Sequence, residues 1–290
     1  MNIAMSGATG FVGGHLTRAF EEKGWKVTPL KREDFLEMEM LVRKIGGADV
    51  VVNLAGASVV RRWTEEYKKV MYNSRIDTTR KIVEAMSKEE TKPWLFISTS
   101  AVGIYDTKAT YAEDNARYAD NFLGKLAIDW EGAALKANEV GVRTVVFRFG
   151  IVLGADGGAL KKMLIPFRTG LGGTIGDGKQ AFSWVHIEDL VRAYLAVIEN
   201  KEFEGIYNLT APNPTSNKGL TEALARALHR PAVMRIPAFV LKLQLGEGAT
   251  ILLEGQRVLP RRLLERGFQF RFTTIEEAMK DLVGQKDEGF

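Results

Sequence analysis

Short apolar runs alternate along the chain with stretches in which apolar residues recur every three or four positions. The runs are NIAMS (2–6), WKVTPL (25–30), ADVVVNLAG (48–56), PWLFISTS (93–100) and VRTVVFRFG (142–150), and the amphipathic stretches cover 11–23, 33–46, 64–88 and 114–140. Strands that are apolar almost throughout, each followed by a helix, are the pattern of a parallel sheet buried on both faces. The expected fold is therefore α/β, a doubly wound, Rossmann-like parallel sheet. After Gly150 the rhythm breaks into GLGGTIGDGKQ (170–180). Ile187, Leu190, Val191, Tyr194, Leu195 and Ile198 then fall at helical spacing and predict a helix over 187–199, after which GIYNLT (205–210) returns to the sheet. From about 211 the breakers PNP, RP and LP separate short helical patterns, which predicts a smaller C-terminal lobe over the carboxyl edge of the sheet. The division expected is 1–150 with 181–210 for the sheet domain, and 151–180 with 211–290 for the lobe.

The first strand runs into SGATGFVGGHL, which sets Gly7, Gly10 and Gly13 at G-x-x-G-x-x-G spacing before a helix. A tight turn at Gly7, close approach of a pyrophosphate at Gly10 and close helix–sheet packing at Gly13 each need the missing side chain. The helix N-terminus beyond offers unpaired N–H groups to phosphates, so Thr9, Phe11 and Val12 join the three glycines as candidate dinucleotide contacts. An ordinary strand–helix turn is the plainer reading of three glycines alone. The second strand ends in Lys31 and Arg32, where an NAD site usually carries an acidic residue for the ribose hydroxyls. Two cations there suit a 2′-phosphate and point to NADP(H) rather than NAD(H), unless KRED is simply a solvated helix start. Leu54, Ala55 and Gly56 end the third strand in a small-residue turn that could lie against the adenosine side. Arg75 could face the phosphates from the following helix or be a solvated ion-pair partner.

Composition narrows the chemistry. Lys and Arg total 40 against 36 Asp and Glu, with the signs interspersed, and the pI is near 9.1. That balance suits a small anionic ligand and lacks the concentrated basic face of a nucleic-acid binder. Without cysteine there is no disulfide, thiolate nucleophile or Cys-based zinc site, and His15, His186 and His229 stand in no metal-ligand spacing, so no metal is expected. Neither a signal sequence nor a spanning apolar run is present, from which a soluble cytoplasmic protein without a membrane partner is expected. Oligomeric state is not legible.

GATGFVG, VNLAG, ISTSAVGIY and FSWVHIEDL together resemble the extended short-chain dehydrogenase/reductases, the NAD(P)-dependent epimerase/dehydratase group. The segments at 163–190 and 252–270 narrow the likeness to an uncharacterised epimerase-family branch. In that group a serine at the end of the fourth strand polarises a substrate oxygen, and a tyrosine with a lysine four residues on relays the proton. The resemblance makes Ser100 that serine, although a strand-end serine can also serve local backbone groups. Counting back from Glu131 puts the relay pair at Leu123 and Ala127, neither of which can carry a proton. No tyrosine in the chain has lysine four residues after it. Losing a general acid costs ~10²–10⁴ in rate, about 3–5 kcal/mol, less than the ~7–11 kcal/mol that orientation can contribute. The gap therefore points to altered chemistry. Tyr105 is the first candidate for a replacement donor, ahead of Tyr118, Lys125 and His186, each of which also has a plain packing, surface or capping role open to it. Phe149 and Gly150 should lie near the nicotinamide amide, and Gly170, Gly172, Gly173, Gly176 and Gly178 either form a flap or only permit turns. Two functions follow: an NADP(H)-dependent oxidoreductase or epimerase acting on a small polar molecule, or an NADP(H)-sensing protein that has lost catalysis.

Overall fold

The computed structural model describes residues 1–284. Six parallel strands form the central sheet: β1 (Asn2–Ser6), β2 (Lys26–Leu30), β3 (Val50–Asn53), β4 (Leu95–Ala101), β5 (Arg143–Phe149) and β6 (Gly205–Leu209). They lie in the order β6-β5-β4-β3-β1-β2, so the winding reverses between β1 and β3. In an open α/β sheet the crevice at such a reversal, outside the carboxyl ends of the strands, is where ligands bind. The register places Ser6 beside Leu30 and Asn53, and Ala101 beside Phe149, so the strand ends form one edge.

Alternation along the strands sends side chains to two cores. Ile3, Met5, Val52, Ile97 and Phe147 pack on α1 (Phe11–Glu22) and α7 (Ile187–Glu199), which contribute Leu16, Phe20, Leu190 and Tyr194. Ala4, Val51, Phe96 and Val146 pack on the other face against α2 (Met38–Ile45), α4 (Ile76–Lys88) and α5 (Phe122–Glu139). A third core under the lobe joins Leu160 and Leu164 of α6 (Gly158–Arg168) to Leu220 and Leu224 of α8 (Asn217–Ala227) and to Met279 of the last helix, Ile275–Gly284.

Three of the expected helices are shorter or divided. The stretch 64–88 is two helices, α3 (Glu65–Asn73) and α4, because Ser74 and Arg75 turn to the loop after β3: Ser74 Oγ accepts from Ala57 N at 3.0 Å. The stretch 33–46 begins as a 3₁₀ turn, Arg32–Phe35, in which the Asp34 carboxylate accepts from Lys31 N at 2.6 Å, and only then becomes α2. Helix α5 starts at Phe122 rather than near 114, since the Asn121 side chain caps Gly124 N at 2.9 Å. The glycine-punctuated stretch is ordered by pairing: Gly173–Ile175 lies parallel to Met234–Ile236, and a Cβ at Gly173 would sit 1.8 Å from the Met234 carbonyl oxygen.

Candidate active site at the strand ends

The first turn of α1 is built around missing side chains. Gly7 takes φ 72°, a left-handed conformation that glycine adopts without strain. A Cβ on Gly13 would lie 2.2 Å from the Gly7 carbonyl oxygen and 2.8 Å from the Ala8 backbone, so helix and loop can close up only around glycine. The N-cap, Gly10, supplies no side-chain bond, and the first turn has no acidic residue. Thr9 and Gly10 are exposed there, so the free N–H groups face an open edge suited to an anion. Val12 is half-buried. Phe11 turns its ring away, into a slot where a Cβ at Gly157 or Gly154 would approach it to 2.2 or 2.5 Å. Its side chain thus ties α1 to the lobe, leaving only its backbone at the helix start.

Along the same edge, Lys31 and Arg32 are exposed at the end of β2. Lys31 stands 3.9 Å from Glu33, whereas Arg32 has no ion pair among the described residues. Leu54, Ala55 and Gly56 continue the edge past β3, Gly56 exposed and the other two half-buried. Arg75 does not reach it. The guanidinium is buried beneath Gly56, donates to the carbonyls of Ala57 at 2.9 Å and Met71 at 3.1 Å, and lies over the Trp130 ring. Burial without a carboxylate lowers its pKa to about 10, still charged at neutral pH. Arg75 is therefore a support for the loop, which corrects the expectation of a phosphate contact. Phe149 is half-buried at the end of β5, while Gly150 is buried where a Cβ would meet the Ser183 carbonyl oxygen at 2.8 Å.

The two expected catalytic side chains lie inside the protein. Ser98 and Ser100 share one face of β4, Thr99 and Ala101 the other. Ser100, 1 % exposed, donates to Glu131 Oε1 of α5 at 2.6 Å, whereas Thr99 lies 3.5 Å from the Tyr194 hydroxyl of α7. The last β4 side chain open to the edge is Ala101. Tyr105 is fully buried, stacked on Tyr111, and its hydroxyl donates to Asn208 Oδ1 at 2.8 Å and accepts from Arg148 at 2.6 Å. Burial raises its pKa, against the opposing pull of Arg148. Neither oxygen presents a face to the edge, so the expectation that these two contact substrate is not supported by their placement. They belong to a buried polar network centred on Arg148, which the sequence reading missed. An arginine two residues from the end of an apolar run was its only signal.

The relay positions are filled by carbon. Leu123 on the first turn of α5 packs 3.8 Å from where a Gly103 Cβ would be, and Ala127 is buried with Val102, Ile104 and Tyr105. Of the other candidate donors, Tyr118 is about half exposed but accepts from Arg148 at 3.3 Å, and Lys125 pairs with Asp120 at 2.9 Å on the surface. His186 is buried and caps α7 through Nδ1, which accepts from Glu188 N at 3.1 Å. Among the described residues no group of three acidic or histidine side chains is arranged to hold a metal ion.

The lobe holds a cavity of about 630 Å³ between the Ile175–Gln180 turn and the segment 238–254, with Gln180, Lys242, Glu247 and Thr250 among its polar walls. Two contacts join that segment to the loop and helix after β3: Lys68 pairs with Glu247 at 2.6 Å, and Arg62 donates to the Leu243 carbonyl at 3.2 Å.

A glycine-lined strand–helix turn at a sheet reversal, with a smaller lobe that carries its own cavity, defines a dinucleotide-binding α/β protein of the epimerase type. The chain belongs to the NAD dependent epimerase/dehydratase family, whose model matches residues 3–210; a domain of unknown function matches 236–282. It is 38% identical to the epimerase family protein YfhF of Bacillus subtilis over 99% of both chains. The chloroplastic SDR39U1 homologue of Arabidopsis thaliana is 36% identical over 98% of this chain and 87% of its own. The human epimerase family protein SDR39U1, solved with NADPH, superposes with a TM-score of 0.90 at 34% identity over 98% of this chain and 99% of its own.

Proposed function

We propose that the protein is an NADP(H)-dependent oxidoreductase or epimerase acting on a small polar molecule held between the strand ends and the lobe cavity. The observation that carries this reading is the uncapped, acid-free first turn of α1 set beside an exposed, unpaired Arg32. The amides after Gly7 and Gly10 hold the diphosphate, Lys31 and Arg32 the 2′-phosphate, and Leu54–Gly56 with Phe149 flank the remainder. The human relative's NADPH supports the choice of phosphate form. When bound, the nicotinamide supplies or accepts hydride.

What this chain's residues then do is position. The edge beyond β4 offers Ala101, Gly103 and Leu123, which exclude water from the reacting face but donate no proton. Barrier lowering by orientation is worth up to about 7–11 kcal/mol without any acid, so substrates that need little proton assistance are favoured. The test is to mix purified protein and NADPH with panels of carbonyl compounds and follow absorbance of the reduced nicotinamide. Turnover carries the reading. Its absence across a broad panel, with tight NADPH binding, favours the second reading, an NADP(H)-sensing binder, for which the burial of Ser100 and Tyr105 and the aliphatic relay positions speak. A sensor must hold NADP⁺ and NADPH with different affinities, because a ligand that binds both states equally shifts nothing.

A further inference from the structure

The lobe carries a face that the cofactor edge does not use. Residues 158–176 and 223–246 contain no aspartate or glutamate. The first stretch holds Lys161, Lys162 and Arg168, the second Arg226, Arg230, Arg235 and Lys242, all exposed, with Lys242 at the rim the face shares with the lobe cavity. Arg226 pairs with Glu276 and Arg235 donates to the Gly176 carbonyl, while the other five make no ion pair among the described residues. Large apolar side chains stand open to solvent between them. Val233 is 83% exposed, Leu243 77% and Phe239 70%, and Ile165 and Leu171 are mostly exposed as well. Helix α9 (Ala238–Leu245) buries only Leu241.

The elements that carry these side chains adjoin. Leu171 N bonds the Pro166 carbonyl at the end of α6, the next strand, Gly173–Ile175, pairs with Met234–Ile236, and α9 begins two residues after Ile236. Isolated exposed leucines are ordinary, but several large apolar side chains set among unpaired cations mark an interaction site; the exposed carboxylates Asp177, Glu222 and Glu247 stand only at the borders of the two stretches.

We infer that this face rests on the surface of an anionic lipid bilayer. Acidic headgroups supply the counter-charges missing from the chain, and the acyl boundary takes Phe239, Leu243 and Val233 a few ångströms deep, as for other surface-lying helices. A second copy is a poor occupant, because an isologous pairing would set the cations of one copy against the same cations of the other. No described helix is long and apolar enough to cross a membrane, and this mode of contact needs none. The expectation of no membrane partner rested on spanning segments alone.

The experiment is co-sedimentation of the full chain with vesicles of phosphatidylcholine alone or with phosphatidylserine, at low and high salt. The expected result is a partition at least tenfold stronger with phosphatidylserine, falling back at high salt as screening shortens the reach of the charges. Phe239→Ser with Leu243→Ser, and separately Lys161→Glu with Lys162→Glu, should each weaken it at least tenfold while leaving the urea midpoint unchanged. No preference for phosphatidylserine overturns the inference. So does a dimer in sedimentation velocity that the serine pair abolishes, in a protein that ignores both vesicles.

Discussion

Glu131 on α5 and Arg148 on β5 meet in a two-point pair, Nε to Oε1 and Nη2 to Oε2 each at 2.7 Å, with neither side chain appreciably exposed. Burial alone would lower the arginine pKa, and the carboxylate more than reverses it. Removing one partner of a buried pair leaves an uncompensated charge and costs about 3–5 kcal/mol. Glu131→Ala is therefore expected to lose roughly that much in urea denaturation. Replacing both residues by apolar ones of similar volume, Glu131→Leu with Arg148→Met, should recover much of the loss. A single variant as stable as the parent would remove the network from the centre of the fold.

The glycine turn gives a prediction graded by contact. At Gly13 a Cβ meets backbone at 2.2 and 2.8 Å, which no side-chain motion relieves; at Gly10 the nearest atom, the Gly7 carbonyl oxygen, is 3.2 Å away. Gly13→Ala must displace the loop from α1, and NADPH affinity, read by fluorescence titration, is expected to fall at least tenfold. Gly10→Ala should fall less if backbone shape is the cause. Equal losses would indicate that the ligand itself, and not the loop, is what a methyl group obstructs.

Arg32 separates the phosphate question from the rest of the site. Hydrogen bonds between a guanidinium and a phosphate contribute about 1.5–3 kcal/mol, a factor of roughly 10–100 in affinity. Arg32→Ala is expected to weaken NADPH by that factor and leave NADH nearly unchanged, with Lys31→Ala the smaller effect because Lys31 already has Glu33 near it. If NADPH and NADH weaken in parallel, the residue steadies the loop and reads no phosphate.

Which parts of this were legible in the sequence follows from the range of the forces involved. The four inner strands, β1, β3, β4 and β5, stand out because burial on both faces makes each rich in apolar residues, a local signal; the edge strands β2 and β6 are only partly buried and are placed by the strand–helix rhythm. Gly13 is equally local, since the atoms a Cβ would meet there belong to Gly7 and Ala8; Gly7 is legible from its spacing, although its own close neighbour is Leu54 of the loop after β3. Ser100 is not, because one position along a strand reverses the face, and Ala101 rather than Ser100 ends up on the edge. In the sequence Arg75 stands between a phosphate contact and a solvated ion pair and Arg148 is passed over, since only tertiary packing brings Ala57 O to the one and the Glu131 carboxylate to the other. The long helices at 64–88 and 114–140 overran because periodicity contains neither of the bonds that bound them, the tertiary one from Ala57 N to Ser74 and the local cap of Asn121 on Gly124 N.

His186 provides the pH prediction. Its ring stacks on Phe272 with centroids 3.8 Å apart, and burial pushes its pKa down to about 4, with Glu188 opposing the shift and Arg271 and His15 adding to it. Nε2 stands 3.4 Å from the Asp281 carboxylate, too weak a contact to offset the burial. In the unfolded chain the ring titrates near 6.5. Between those values the unfolded state takes up a proton that the folded state refuses, so this contribution is intact above about pH 6.5 and is lost as pH falls toward 4. The loss at about pH 5 is on the order of 2 kcal/mol relative to about pH 7.5. His186→Asn keeps an N-cap acceptor for Glu188 N and removes the titration. Urea denaturation at the two pH values should show the variant losing about 2 kcal/mol less than the parent, and a variant with the parent's slope would mean that the ring is not held neutral.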